Sequence, residues 1–293
     1  MKKVFVALIA LSLLTSCDKV TCENCEDEYQ SDNTQWEEVE SAGDAVLKKI
    51  GKFIGKTDAS LFGPKEKSDD MDTLYANVEK LSEEDQRAEF LLDNWDSLED
   101  QEKYLVGNDP DGLEFVYNYE TGNTDFEYYL GESKDYGRLT PYYLQWDNRW
   151  GYEPLYTGNI GFYGCGPTSM AMILSRLKSD DTITPLEISK DAEGFMTEEG
   201  ISWDFFPYEA QNYGLSIEDI PLNEEEMKLA LEDGPLLISV DRGYFTIFGH
   251  ILVIDSYSDG KFVINDPNSY TNSEIKWDFD DISDQIVRIW KIY

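Results

Sequence analysis

Asp259-Gly260 separates two apolar runs in the last part of the chain, Ile251-Leu252-Val253-Ile254 before it and Phe262-Val263-Ile264 after it. An Asp-Gly pair accepts the positive φ that a two-residue hairpin demands, so the spacing predicts adjacent antiparallel strands over about 249–257 and 260–265. Further strands are expected at about 235–241 and 285–292. Gly234-Pro235 ends a helix predicted over 223–233 just before the first of them. Upstream, Met170, Ile173, Leu174 and Leu177 recur at helical spacing over 165–177, and shorter helices are expected near 185–193 and 203–213. Helices followed by an antiparallel sheet make an α+β fold, with a cleft where the helical lobe meets the sheet.

Cys165 stands at the head of the first of these helices, in Tyr163-Gly164-Cys165-Gly166-Pro167-Thr168-Ser169-Met170. Pro167 suits the first turn, where a missing N–H costs nothing. A sulfur at the positive end of a helix dipole is favoured as thiolate, the form that attacks carbonyl carbon. Gly164 and Gly166 are expected to keep bulk away from the sulfur and leave backbone N–H groups free for an oxyanion. The competing reading is a small buried cysteine packing against a sheet.

His250 is the single histidine of the chain and opens the strand predicted at 249–257, behind Gly249. The hairpin at Asp259-Gly260 brings the end of the next strand, Asn265-Asp266-Pro267, to the same edge of the sheet. Asp266 can there hold the imidazole in one tautomer and stabilise its charged form. Asn265 is the alternative, since an amide also orients an imidazole. Adjacent side chains of an extended segment point to opposite faces, so only one of the two can meet His250. Read without a partner, Asp266 is simply a turn residue before Pro267.

Gln145-Trp146-Asp147-Asn148-Arg149-Trp150-Gly151, the cysteine segment, Gly249-His250 and Asn265-Asp266-Pro267 together resemble the stand-alone relatives of the bacteriocin-processing cysteine peptidases, family thirty-nine of the cysteine peptidases. The resemblance spans about 141–293. It implies a papain-like fold, a Cys165 nucleophile, a His250 general base, an Asp266 orienting acid, and a glutamine that helps to form the oxyanion hole. In the transporter-fused members that glutamine stands a few residues before the cysteine. Gln145 lies twenty residues upstream of Cys165, and Asn159 is the nearer polar side chain. Gln145 is the preferred donor because its NH₂ group reaches an oxyanion readily. Trp146 and Trp150 are expected in the core or the cleft wall. The implied function is a cysteine peptidase acting on a peptide or protein; an acyl or peptidyl transferase on the same triad and a noncatalytic binding lipoprotein of the same fold are the alternatives. A double-glycine substrate does not follow from the resemblance.

At the other end, Lys2-Lys3 is a short basic segment, Val4 to Leu14 is an apolar stretch too short to span a bilayer, and Leu14-Thr15-Ser16-Cys17 follows. This resembles a bacterial lipoprotein signal over 1–16, cleaved before a lipidated Cys17, which implies a lipid-anchored, extracytoplasmic protein of the cell envelope. An ordinary secretory signal is the alternative. Residues 17–35 are acidic and poor in apolar side chains, as in a flexible tether. They hold Cys22 and Cys25, for which an exported compartment favours a local disulfide; with no second cysteine pair and no spare histidine, no metal site is expected, nor any cofactor.

Sixty Asp and Glu against 24 Lys and Arg leave a formal net charge of −36, which excludes a nucleic-acid partner. The acidity is spread through the chain, as on a solvated surface. Residues 36–140 read as a helical N-terminal region. Val46, Ile50 and Phe53-Ile54 form one stripe, and Leu91-Leu92, Trp95, Leu98 and Leu105 form another. Ser82 before Glu83-Glu84-Asp85 reads as a helix start, and Asp109-Pro110 as the cap of a helix carrying Leu113, Phe115, Val116 and Tyr117. This region is a prodomain covering the cleft, a module for a partner, or a spacer; 141–293 is the peptidase domain.

Overall fold

The computed structural model describes residues 64–293. The signal 1–16, the tether with Cys17, Cys22 and Cys25, and the stripe of Val46, Ile50 and Phe53-Ile54 lie outside the described residues.

Four helices come first: α1 Met71–Ser82, α2 Gln86–Asp93, α3 Asp100–Asn108 and α4 Leu113–Thr121. Acidic side chains cap the first three, while α4 follows Gly112 with no side-chain cap. Asp70 accepts from Thr73 N at 2.9 Å and Asp85 from Arg87 N at 2.9 Å, while the Glu102 carboxylate reaches back to Glu99 N at 2.6 Å. Ser82 therefore ends α1 rather than starting a helix, its hydroxyl donating to Glu79 O at 2.7 Å, and Asp85 is the cap. Asp109 precedes a 3₁₀ turn and makes no side-chain cap; its carboxylate pairs with Lys67 Nζ at 2.6 Å. The ammonium is the stronger partner.

A one-turn helix, Ile160–Tyr163, leads into α5 Cys165–Lys178, followed by α6 Pro185–Ala192, α7 Phe205–Asn212 and α8 Glu224–Leu231. The main sheet contains β1 Ile217–Asp219, β2 Leu236–Val240, β3 His250–Ser258, β4 Lys261–Asn265, β5 Lys276–Trp277 and β6 Ile286–Ile292. Its strand order is β1-β6-β2-β3-β4-β5, antiparallel throughout. Asp259 and Gly260 form the β3–β4 turn at φ 56° and 82°. The two edge strands were not legible: β1 is a short, mostly exposed Ile-Glu-Asp and β5 only two residues. What makes them strands is a neighbour's free edge, not an alternating pattern of their own.

Both faces of the sheet are covered. Leu237, Ile251, Val253, Trp290 and Ile292 share one apolar core with Met170, Ile173 and Leu174 of α5. Leu236, Ile238, Leu252, Ile254, Phe262 and Ile264 enter a second core with Met227 of α8 and Trp277. Odd and even positions of one strand thus serve different layers, as the two-residue period requires. The first core also takes in Leu105, Val106, Phe115 and Val116 from α3 and α4. Burying such a side chain contributes about 1.5–3 kcal/mol, so this seam binds the helices of 71–121 firmly to the α5 side of the cleft. Among the described residues no helix is long and apolar enough to cross a membrane.

Candidate active site

α5 begins at Cys165, its cap residue Gly164 offering no side-chain hydrogen bond to the first turn. The sulfur is half-buried, and the backbone N–H groups of Gly166 and of Ile251, the residue after His250, lie on its side and favour its ionised form. The two glycines beside it answer to packing rather than to sulfur access. A Cβ on Gly164 would strike the carbonyl oxygen of Ile160, and one on Gly166 would lie 2.8 Å from Ile201 Cγ2. Gly249, by contrast, faces open space beside His250.

His250 is 7 % exposed and pairs across the sheet with Val240. Its Nε2–H donates to Asp266 Oδ1 at 2.8 Å, which leaves Nδ1 as the nitrogen free for the thiol, and the imidazole and the Cys165 sulfur are close enough to shift each other's ionisation. Asp266 is fully buried with its oxygens occupied: Oδ1 also accepts from Asn268 N at 2.9 Å, and Oδ2 from Asn272 Nδ2 at 2.8 Å. Its own N–H donates to Ser273 Oγ at 2.9 Å. A buried carboxylate is tolerable when it is paired and solvated by the protein in this way. Asn265 points elsewhere. Its amide donates to Pro141 O at 3.2 Å and its oxygen accepts from Arg138, whose guanidinium also holds Ile264 O at 2.8 Å.

Gln145 is 4 % exposed and lines the same cavity as Cys165 and His250. Its backbone N–H donates to Pro267 O at 2.7 Å, tying it to the Asp266 turn, and Nε2 donates to Gly161 O at 2.7 Å. An amide NH₂ has two hydrogens, so the second remains for a ligand oxygen. Gly161 is itself pinned, because a Cβ there would run into the Phe115 ring of α4. Asn159 instead caps the one-turn helix, accepting from Phe162 N at 3.0 Å. Asp147 of the same motif is a structural anchor: it is buried, it binds Arg149 through both oxygens (2.8 and 2.7 Å), and it accepts from the N–H groups of Glu132 and Ser133. Trp146 and Trp150 are each 3 % exposed and belong to the core.

Burial pushes the Cys165 thiol up, but the hydrogen bond and charge of His250, with the two backbone N–H groups, outweigh it, and the pKa is lowered from 9.0. Burial likewise opposes the charge on His250, yet the Asp266 carboxylate and the sulfur prevail and push it up to about 10. Asp266 is held below the usual carboxylate range against its own burial by the imidazolium, Asn272 and Asn268 N–H. The arrangement favours thiolate, imidazolium and carboxylate together, titrating as one coupled unit. The sign of the pH dependence follows. Rising pH generates the thiolate below its ordinary range, and continued rise removes the imidazolium near 10. Iodoacetamide should therefore alkylate Cys165 with a midpoint below pH 9, and His250→Ala should move that midpoint upward because the imidazole no longer opposes burial. A wild-type midpoint at or above 9 would contradict this ion pair.

The cavity above these residues has a volume of about 470 Å³. Sequence reasoning missed Asn272, Asn268 and Arg138 as supports, and Tyr104 of α3 as part of the wall. Asn268 sits in the same turn as Asp266, an Asp-x-Asn turn readable from sequence, whereas Asn272, Arg138 and Tyr104 carry no local signal.

The profile of the Peptidase_C39 like family matches residues 139–293, more than half of the chain, and the chain belongs to that family. Its α+β architecture is the one such a member is expected to have. Among solved structures, a putative C39-like peptidase from Bacillus anthracis is similar at 15 % identity and a TM-score of 0.38, over 53 % of this chain and 94 % of that one. A double-glycine-motif protease from an AMS/PCAT transporter, in complex with the leader peptide, is 20 % identical with a TM-score of 0.34, over 47 % and 86 %. The peptidase domain of Streptococcus ComA, a bifunctional ABC transporter of a quorum-sensing pathway, is 15 % identical with a TM-score of 0.34, over 48 % and 96 %. No curated protein matches.

Proposed function

We propose that this chain is an exported, lipid-anchored cysteine peptidase that cleaves peptide bonds through a thioester on Cys165. The observation that carries this reading is the convergence of Cys165, His250 and Gln145 on one cavity, with His250 Nε2 held 2.8 Å from the buried Asp266 carboxylate. The thiolate attacks the amide carbonyl carbon, and the oxyanion is held by the free N–H of Gln145 and the backbone N–H of Cys165. The imidazolium gives its proton to the departing amine as the C–N bond breaks. His250, now neutral, takes a proton from water, whose oxygen attacks the thioester; the carboxylic acid leaves and the thiolate returns. Profiling cleavage sites in a peptide mixture with wild type and Cys165→Ala tests this. Identical profiles would end the reading.

The anchor rests on Lys2-Lys3, the apolar segment Val4 to Leu14, and Leu14-Thr15-Ser16-Cys17. Several acyl chains on Cys17 would hold the protein at a membrane far better than one. Cys17→Ser should transfer the protein from the detergent phase to the aqueous phase on phase partition. A variant that still partitions like the parent rules the anchor out.

A further inference from the structure

Phe248 lies two residues before His250, in the loop joining β2 to β3, and is 62 % exposed. A large aromatic left at a cavity mouth contributes little to a core and is a natural contact for a ligand. Its ring meets that of Tyr104 edge-on, with centroids 5.7 Å apart at 76°. Tyr104 belongs to α3, outside the 139–293 span of the family profile, so the wall facing the loop is supplied by the appended helices.

Both sides of this aromatic pair are fastened. Ser68 N donates to Asn108 Oδ1 at 2.7 Å and Asn108 Nδ2 to Ser68 O at 2.9 Å, which ties the segment before α1 to α3. Lys67 N donates to Gly243 O at 2.9 Å, and Arg242 pairs with Asp69 at 2.6 Å, which ties it to the loop. Gln101 Oε1 accepts from Tyr163 OH at 2.8 Å on the far side of the cavity. A wall anchored at three points is preorganised, the condition under which apolar contacts yield selectivity. Its charge is one-sided as well. The Lys67 ammonium is taken up by Asp109, whereas the Asp100 side chain stands 71 % exposed at the rim with Lys103 no nearer than 4.0 Å.

We infer that α3 and the β2–β3 loop form a substrate pocket that accepts a large aliphatic or aromatic side chain flanking the scissile bond, between Tyr104, Phe248 and the Cys165–His250 pair, and disfavours an acidic one. This rests on the peptidase reading above. The appended helices then determine specificity, and a cavity of about 470 Å³ has room for such a side chain together with the peptide bond beside it.

The test uses the full-length protein and a peptide library varied on both sides of the cleaved bond. In the wild type, one flanking position should prefer Phe, Tyr, Leu or Met over Gly and disfavour Asp and Glu. In Tyr104→Ala and in Phe248→Ala that preference, expressed as the ratio of kcat/KM for the bulky over the glycine peptide, should fall by roughly tenfold or more. Phe248 is mostly exposed, so its truncation removes no core contact and keeps the test valid should Tyr104→Ala misfold. Iodoacetamide labelling of Cys165 runs alongside and reports the nucleophile independently of the pocket. A preference that survives both substitutions, or a wild type that favours acidic residues, overturns the pocket while leaving the peptidase standing. A wild type that labels at Cys165 yet cleaves no peptide overturns the peptidase reading and the pocket with it.

Discussion

If the proposed chemistry holds, Cys165→Ala should remove peptide cleavage almost completely, a fall of about 10⁴- to 10⁶-fold in kcat, with His250→Ala of similar size and the double variant little worse than either. The non-additivity is the informative part. In the proposed mechanism His250 favours the ionised Cys165 sulfur and protonates the amine; without the sulfur it would have nothing to activate, and without the imidazole the burial of the sulfur would favour the thiol. Two residues that merely supported the fold would add their losses. The substitution at Cys165 deletes one half-buried sulfur and leaves α5 packed through Met170, Ile173 and Leu174, so circular dichroism should be unchanged. Near-normal cleavage by folded Cys165→Ala would refute the proposed chemistry.

Asp266→Asn should lower kcat by roughly 10²- to 10⁴-fold, and Asn265→Ala should cost far less in kcat. Three donors converge on the Asp266 carboxylate: His250 Nε2–H, Asn268 N–H and Asn272 Nδ2–H. An amide offers a single oxygen, so one of its N–H groups must face a donor unless the imidazole turns over its tautomer. In that event Nδ1 carries the proton toward the sulfur and cannot accept another, and the stabilisation of imidazolium by a full negative charge is lost in either case. Asn265 serves a different purpose, since it fastens the strand end to Pro141 and Arg138; its loss should appear in thermal stability before it appears in turnover. A crippled Asn265→Ala beside an active Asp266→Asn would reverse the assignment. The alkylation midpoint of Cys165 gives a second readout, expected to rise in Asp266→Asn and to stay in Asn265→Ala.

Much of the catalytic half was legible because its signals are local. Asp259-Gly260 has the φ values that its hairpin needs, and α5 runs from Cys165 as its apolar spacing indicates. The alternation of Leu252 and Ile254 against Ile251 and Val253 is reproduced in the two cores. Parity says only that one of Asp266 and Asn265 can face His250; the hydrogen bond from His250 Nε2 to Asp266 Oδ1 in the fold selects Asp266. Local reasoning failed where several partners compete for one group. Gly164 and Gly166 looked like room for a substrate, but the space is claimed by Ile160 and Ile201. Asp109 looked like a cap, but Lys67, forty-two residues away in sequence, is the stronger partner.

The sequence by itself determined the order of the longer helices and strands, the hairpin that brings His250 and Asp266 to one end of the sheet, and the residue types able to act as nucleophile, base and orienting acid. These follow from backbone preference and two-residue or helical periodicity, which are properties of neighbouring residues. Only the tertiary structure decided that Gln145 rather than Asn159 faces the cavity, and that the helices before residue 139 line the cavity rather than stand apart from it. Those outcomes depend on which distant groups satisfy one another's hydrogen bonds and bury one another's apolar faces, and no short stretch of chain contains both partners.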